Sequence, residues 1–121
     1  MKTLDRILAW TLLALGSLHT AVGVSLMSKT LSLNSVWFFG GGLAVVFGAF
    51  LNMVRAYRPP DKLVLSTSAL ANLLLLVLAV ILMWMVRHGL KQNPQVIVFI
   101  ALVAAELLFS VKQFPVKQWF Q

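Results

Sequence analysis

The chain has no cysteine. That excludes thiol nucleophiles, disulfides and iron–sulfur clusters, and it says little about compartment in a sequence this apolar. Charge is scarce as well: three of the 121 residues are acidic, and histidine occurs only at 19 and 88. Also missing are a phosphate-cradling glycine loop, a nucleophile elbow, and the His-x-x-x-His or Glu-x-x-His spacing of metal sites. Gly40-Gly41-Gly42 lies inside an apolar run, where it cannot serve a nucleotide. Ser66-Thr67-Ser68 has no histidine in its own segment to act as a base. No cofactor and no metal is therefore expected.

What the chain does have is apolar sequence, 60% of all residues, with a mean hydropathy of +0.92. Four runs stand out, at about 7–27, 36–54, 63–86 and 95–112. A helix needs about 20 residues to cross ~30 Å of hydrocarbon, and each run is close to that. The expected fold is all-α: a four-transmembrane-helix up-down bundle forming one integral membrane domain over 1–121. Its links, Ser28–Ser35, Arg55–Lys62 and Arg87–Pro94, are short enough to make consecutive spans antiparallel neighbours. They leave no room for an extramembrane domain.

Pro59-Pro60 and Asn93-Pro94 interrupt helix at two of those links. Trp10, Trp37, Trp84 and Trp119 fall near span ends, as in an interfacial aromatic belt. The basic start and apolar stretch of 1–23 resemble a signal peptide. The run continues past Gly23 without a small-x-small cleavage site, so it is read as a retained first span.

Basic residues give the orientation. Lys2, Arg6, Arg55, Arg58, Lys62, Lys112 and Lys117 flank the spans on one side, and Lys29, Arg87 and Lys91 on the other. The positive-inside rule puts both termini in the cytoplasm of a cell inner membrane. The net charge of +7 is spread over loop ends rather than gathered on a face. Its expected partner is a bilayer with anionic headgroups, not nucleic acid.

Small residues mark packing faces. Gly40, Ala44 and Gly48 recur at four-residue spacing with Asn52 continuing the stripe, a pattern that serves within a bundle or between copies of a homo-oligomer. In the first span Gly16, His19 and Gly23 share a face; in the fourth, Glu106 shares one with Leu102 and Ser110.

Glu106 is the most informative residue. A carboxylate in hydrocarbon costs ~2.5–3.5 kcal/mol even on the gentlest scale, so it is expected to face a partner or a cavity. At ~1.5 Å rise per residue, Glu106 and Asn72 lie roughly 9–14 Å from the cytoplasmic span ends, His19 about 18 Å in, and Asn52 shallow. Three readings compete. A neutral Glu106 bonded to Asn72 or His19 would be interhelical glue. The same groups could line a cavity for a small or lipophilic solute, or relay protons. Or His19 and Glu106 could act as an acid–base pair on a lipid-soluble substrate. His88 reads as a solvated residue at the opposite edge.

In size and span count the chain is similar to the small multidrug-resistance exporters. Their essential glutamate lies in the first span, however, where this chain has His19. Gly16-Ser17-Leu18-His19-Thr20, with Trp37-Phe38-Phe39-Gly40-Gly41-Gly42-Leu43 through Leu51-Asn52, resembles uncharacterised small four-span bacterial membrane proteins. That resemblance covers roughly the first half of the chain and implies no activity. The preferred expectation is binding or transport of a solute whose identity the sequence leaves open. Glu106 is its centre, Asn72 and His19 its partners, and Asn52 stands near the cytoplasmic entrance. The alternatives are an intramembrane enzyme and a structural or interaction subunit.

Overall fold

A computed structural model describes residues 1–114, the side chain of Leu90 excepted. Trp119 and Lys117 lie outside the described residues. Four α-helices follow in order: α1 (Lys2–Lys29), α2 (Leu33–Tyr57), α3 (Lys62–Val86) and α4 (Gln95–Lys112). A 3-10 segment, Arg87–Gln92, joins the last two and kinks at Gly89. The described residues contain no strand, and all four α-helices are long and apolar enough to cross a membrane.

Local chemistry sets the ends. Ser32 and Ser35 form a reciprocal capping box at the start of α2, with the Ser35 N–H donating to Ser32 Oγ at 3.2 Å and the Ser32 N–H to Ser35 Oγ at 3.0 Å. Asp61 caps α3 by accepting from the Val64 N–H at 3.0 Å. Pro59-Pro60 separates α2 from α3, and Pro94 precedes α4. α2 runs three residues further at each end than the apolar run 36–54. Its last turn therefore takes in Arg55, which the sequence reading had placed in the following link.

α1 and α2 make the most extensive contact, α3 and α4 the next, and α1 also touches α4. The four helices thus close into a ring. Glycines bring α1 and α2 together. A Cβ on Gly23 would stand 2.7 Å from Phe39 Cα, and one on Gly42 2.7 Å from the Thr20 backbone nitrogen. Only a missing side chain permits that approach. The stripe read at Gly40, Ala44 and Gly48 does not hold together as one face. Gly48 is buried against Leu75, whereas Gly40 and Ala44 point outward, because four-residue steps drift around a 3.6-residue helix.

Leu12, Val45, Ala49, Leu75, Ala79, Phe99 and Val103 form the buried apolar core. The outer surface is apolar too, with Phe47, Leu70, Leu74 and Ile81 all exposed. An apolar exterior around a partly polar interior reverses the pattern of a water-soluble domain and suits a lipid environment. Trp37 and Trp84 sit exposed near the end of the bundle opposite the start of α1.

The glycine contacts give a paired prediction. Gly42→Ala should lower stability by about 1–3 kcal/mol through overpacking against the Thr20 backbone. Gly40→Ala meets nothing within 4 Å and should leave stability unchanged or raise it by up to about 1 kcal/mol through helix propensity. Tryptophan-fluorescence melting in detergent distinguishes the two.

Candidate functional site

At the end of the bundle where α1 begins and α4 ends, the terminal end, all four helices send polar side chains to one buried cluster. α1 contributes Asp5, α2 Asn52 and Arg55, α3 Ser68 and Asn72, and α4 Glu106 and Ser110, with Gln113 as the cap just past its end. Asp5, Asn52, Arg55, Ser68, Asn72, Glu106 and Ser110 are each at most 3% exposed.

Arg55 is the hub. Its Nη2 donates to a carboxylate oxygen of Asp5 and, at 2.6 Å, to Glu106 Oε2, so two carboxylates share one guanidinium nitrogen. Its Nη1 has four acceptors in reach: Asn52 Oδ1 at 3.2 Å, Ser68 Oγ at 3.3 Å, the Glu106 carbonyl at 3.0 Å, and Ser110 Oγ. Gln113 Nε2 donates to the other oxygen of Asp5 at 2.8 Å.

Next to the charges lies an amide pair. Asn52 Nδ2 donates to Asn72 Oδ1 at 2.9 Å, and Asn72 Nδ2 returns to Asn52 Oδ1 at 2.8 Å. Ser68 Oγ donates to the same Asn52 oxygen at 2.7 Å, and Asn72 Nδ2 also reaches Ser110 Oγ at 3.1 Å. Ser110 Oγ in turn donates to the Glu106 carbonyl at 2.8 Å. Glu106 and Asn72 therefore join one network through Ser110 and Arg55, rather than by a bond of their own.

Two buried atoms lack a hydrogen-bond partner among the described residues, Arg55 Nε and Glu106 Oε1. With all three groups ionised, the two carboxylates and one guanidinium carry a formal charge of −1. The cluster can thus take up one proton or one further donor without losing its existing bonds.

Of the four residues singled out from sequence, Glu106, Asn72 and Asn52 converge here. Asn52 is fully buried in the cluster rather than standing at an entrance. His19 is elsewhere. It stacks on Phe38, with ring centroids 3.8 Å apart. It also follows Asp5 by fourteen residues on α1, about 21 Å at helical rise.

Sequence reasoning missed Asp5 and Arg55. The face through Gly16 and Gly23 runs back through Leu12 and Ala9 to Asp5 in steps of three and four, and all five residues are buried. Likewise Gly48, Asn52 and Arg55 follow one buried face of α2.

Beside the cluster is a pocket of about 170 Å³ at the terminal end, with Asp5, Arg55 and Gln113 among its lining residues. No grouping of three or more His, Cys, Asp or Glu residues suited to a metal occurs among the described residues. The chain matches no protein-family model, no curated protein and no solved structure.

The cluster predicts a specific asymmetry between single and paired substitutions. Arg55→Gln leaves two carboxylates facing each other out of water and should cost about 3–5 kcal/mol. Arg55→Gln with Glu106→Gln removes one of those carboxylates and should recover a substantial part of the loss. Equal destabilisation of the single and double variants in detergent melting would remove the ion pair as the organising contact.

Proposed function

We propose that the protein binds a small polar solute at the Arg55 cluster, reached from the terminal end of the bundle. The observation that supports this is the double position of Asp5 and Arg55, which belong both to the buried ion pair and to the wall of the pocket. A charged group with a pocket beside it can exchange part of its hydrogen bonding for a ligand's. Arg55, which lines the pocket, also carries an unpartnered Nε–H, a spare donor for such an exchange. The pocket is comparable to the ~150 Å³ cavity that takes a benzene-sized molecule, so the solute is small.

Binding is favoured over passage across the membrane because the layer beyond the cluster is filled by Leu12, Val45, Leu75 and Val103. Acid–base catalysis by His19 and Glu106 has less support, since His19 stacks on Phe38 and has no place in the hydrogen-bond network that holds Glu106. A structural role has one observation in its favour: each helix is tied to another through this network.

The membrane is proposed to be of the cytoplasmic type with both termini inside. Moving Arg55 from the loops to the interior leaves Lys2, Arg6, Arg58, Lys62, Lys112 and Lys117 against Lys29, Arg87 and Lys91, which preserves the bias. The absence of native cysteine makes single-cysteine labelling clean. Ser32→Cys and Asn93→Cys should react with an impermeant maleimide on intact cells, and Pro60→Cys only after permeabilisation. The opposite pattern would invert the orientation.

Binding itself is checked by thermal shift in neutral detergent with inorganic phosphate, small amines, amino acids, carboxylates and sugars as probes. At 100 times its Kd a ligand adds about 2.7 kcal/mol to stability, a readily measured rise in Tm. At least one class should stabilise the wild type, and Asp5→Asn should change that response, weakening it for a cationic probe and strengthening it for an anionic one. A wild type that no class stabilises would contradict the proposal.

A further inference from the structure

The rim of the same pocket is basic. Lys2 at the start of α1, Arg58 just after α2 and Lys112 at the end of α4 line it together with Arg55 and Asp5. The three rim cations are exposed, and no ion pair holds them among the described residues. Asp5, the acid in the wall, is already engaged by Arg55 and Gln113. Even with the cluster's single excess negative charge set against them, the rim residues leave the site with two positive charges. Arg55 adds a buried Nε–H that has no acceptor among the described residues. The remaining wall includes Met1 and Phe109, which are apolar.

Resting on the binding role proposed above, we propose that this pocket takes a phosphate-bearing anion, either an anionic phospholipid headgroup or a free phosphate. A phosphate offers several acceptor oxygens and more than one direction of approach, which suits cations arriving from three separate chain segments. A single carboxylate would satisfy fewer of them. The place fits as well. Lys2 and Lys112 stand at helix ends, where spans leave the hydrocarbon and meet the headgroup layer, and basic pockets between transmembrane helices bind such groups there. Met1 and Phe109 supply the apolar wall that the glycerol and first acyl carbons of a lipid would contact.

The test uses the full chain and the paired variant Arg58→Gln/Lys112→Gln, whose exposed positions do not enter the buried cluster. In one arm, protein in mixed phosphatidylglycerol and phosphatidylcholine nanodiscs is released into native mass spectrometry, and the retained lipid is counted. In the other, protein in neutral detergent is titrated with inorganic phosphate against sodium chloride at equal ionic strength, and Tm is read. Wild type should respond in at least one arm, and the variant should lose affinity in that arm by roughly 30-fold, from about 5-fold for each of the two cations removed.

Selective retention of phosphatidylglycerol without a phosphate response identifies the lipid headgroup; a phosphate response alone identifies the free anion; both together show that phosphate chemistry suffices. A wild type silent in both arms, or a variant that matches wild type, would overturn the proposal. If that happens while amines, amino acids or sugars still stabilise the wild type in the Asp5-dependent manner, the binding role survives and only the ligand class fails.

Discussion

A guanidinium closed off from water must have its charge and its N–H groups met by protein, and every helix of this bundle contributes to meeting the two Nη groups of Arg55. Taking such a group out of solvent carries a penalty of several kcal/mol, repaid only by close charge pairing and well-formed hydrogen bonds. Asp5 and Glu106 supply the charge from α1 and α4, while Ser68 and Ser110 supply oxygens from α3 and α4. Remove any helix and a charged or polar group in the interior loses its partner. In lipid, where apolar side chains gain little by leaving their surroundings, interhelical polar contacts of this kind are what distinguish one arrangement of helices from another.

The packing elsewhere makes that convergence geometrically feasible. Asp5 has a short side chain, so α1 must lie close to α2 for it to reach Arg55. The bare glycines at 16, 23 and 42 permit that closeness over the length of the pair. On the α3 side, Gly48 leaves room for Leu75, and one turn further along α2 Asn52 meets Asn72. Apolar and polar layers are thus successive parts of the same faces. The face of α2 passes from Val45 and Gly48 through Asn52 to Arg55, and that of α3 from Ala79 and Leu75 through Asn72 to Ser68.

The architecture was legible in the sequence because hydropathy over twenty-residue windows responds to the property a bilayer selects. Glu106, Asn72 and Asn52 were legible for the same reason in reverse, as polar residues inside apolar runs. Arg55 was not. A basic residue at the end of an apolar run is ordinarily a headgroup contact, and nothing local marks the one whose helix continues past it. Asp5 was hidden by its place in the first turn of α1, where an acid is unremarkable because it complements the helix dipole. His19 shows the opposite error. It shares three- and four-residue spacing with Gly16 and Gly23, but it stands roughly 40–60° off their face and stacks on Phe38. Periodicity assigns a face only approximately, and a long side chain at its margin can turn either way.

The position of the cluster constrains function more tightly than its composition does. Charged groups at mid-membrane would be equidistant from both aqueous phases, whereas Arg55 lies two residues from the end of α2 and Asp5 three from the start of α1. Beyond them the interior closes on Leu12, Val45, Leu75 and Val103. A ligand, proton or ion reaching Arg55 therefore comes from the terminal side and leaves by it, unless the apolar layer opens. Opening that layer would require helices locked by glycine contacts to separate. The polar end can rearrange at lower cost, because a departing Asp5 or Arg55 contact is replaced there by water or by the rim cations. One-sided exchange at the terminal end is thus the motion that this distribution of polar and apolar layers makes least costly.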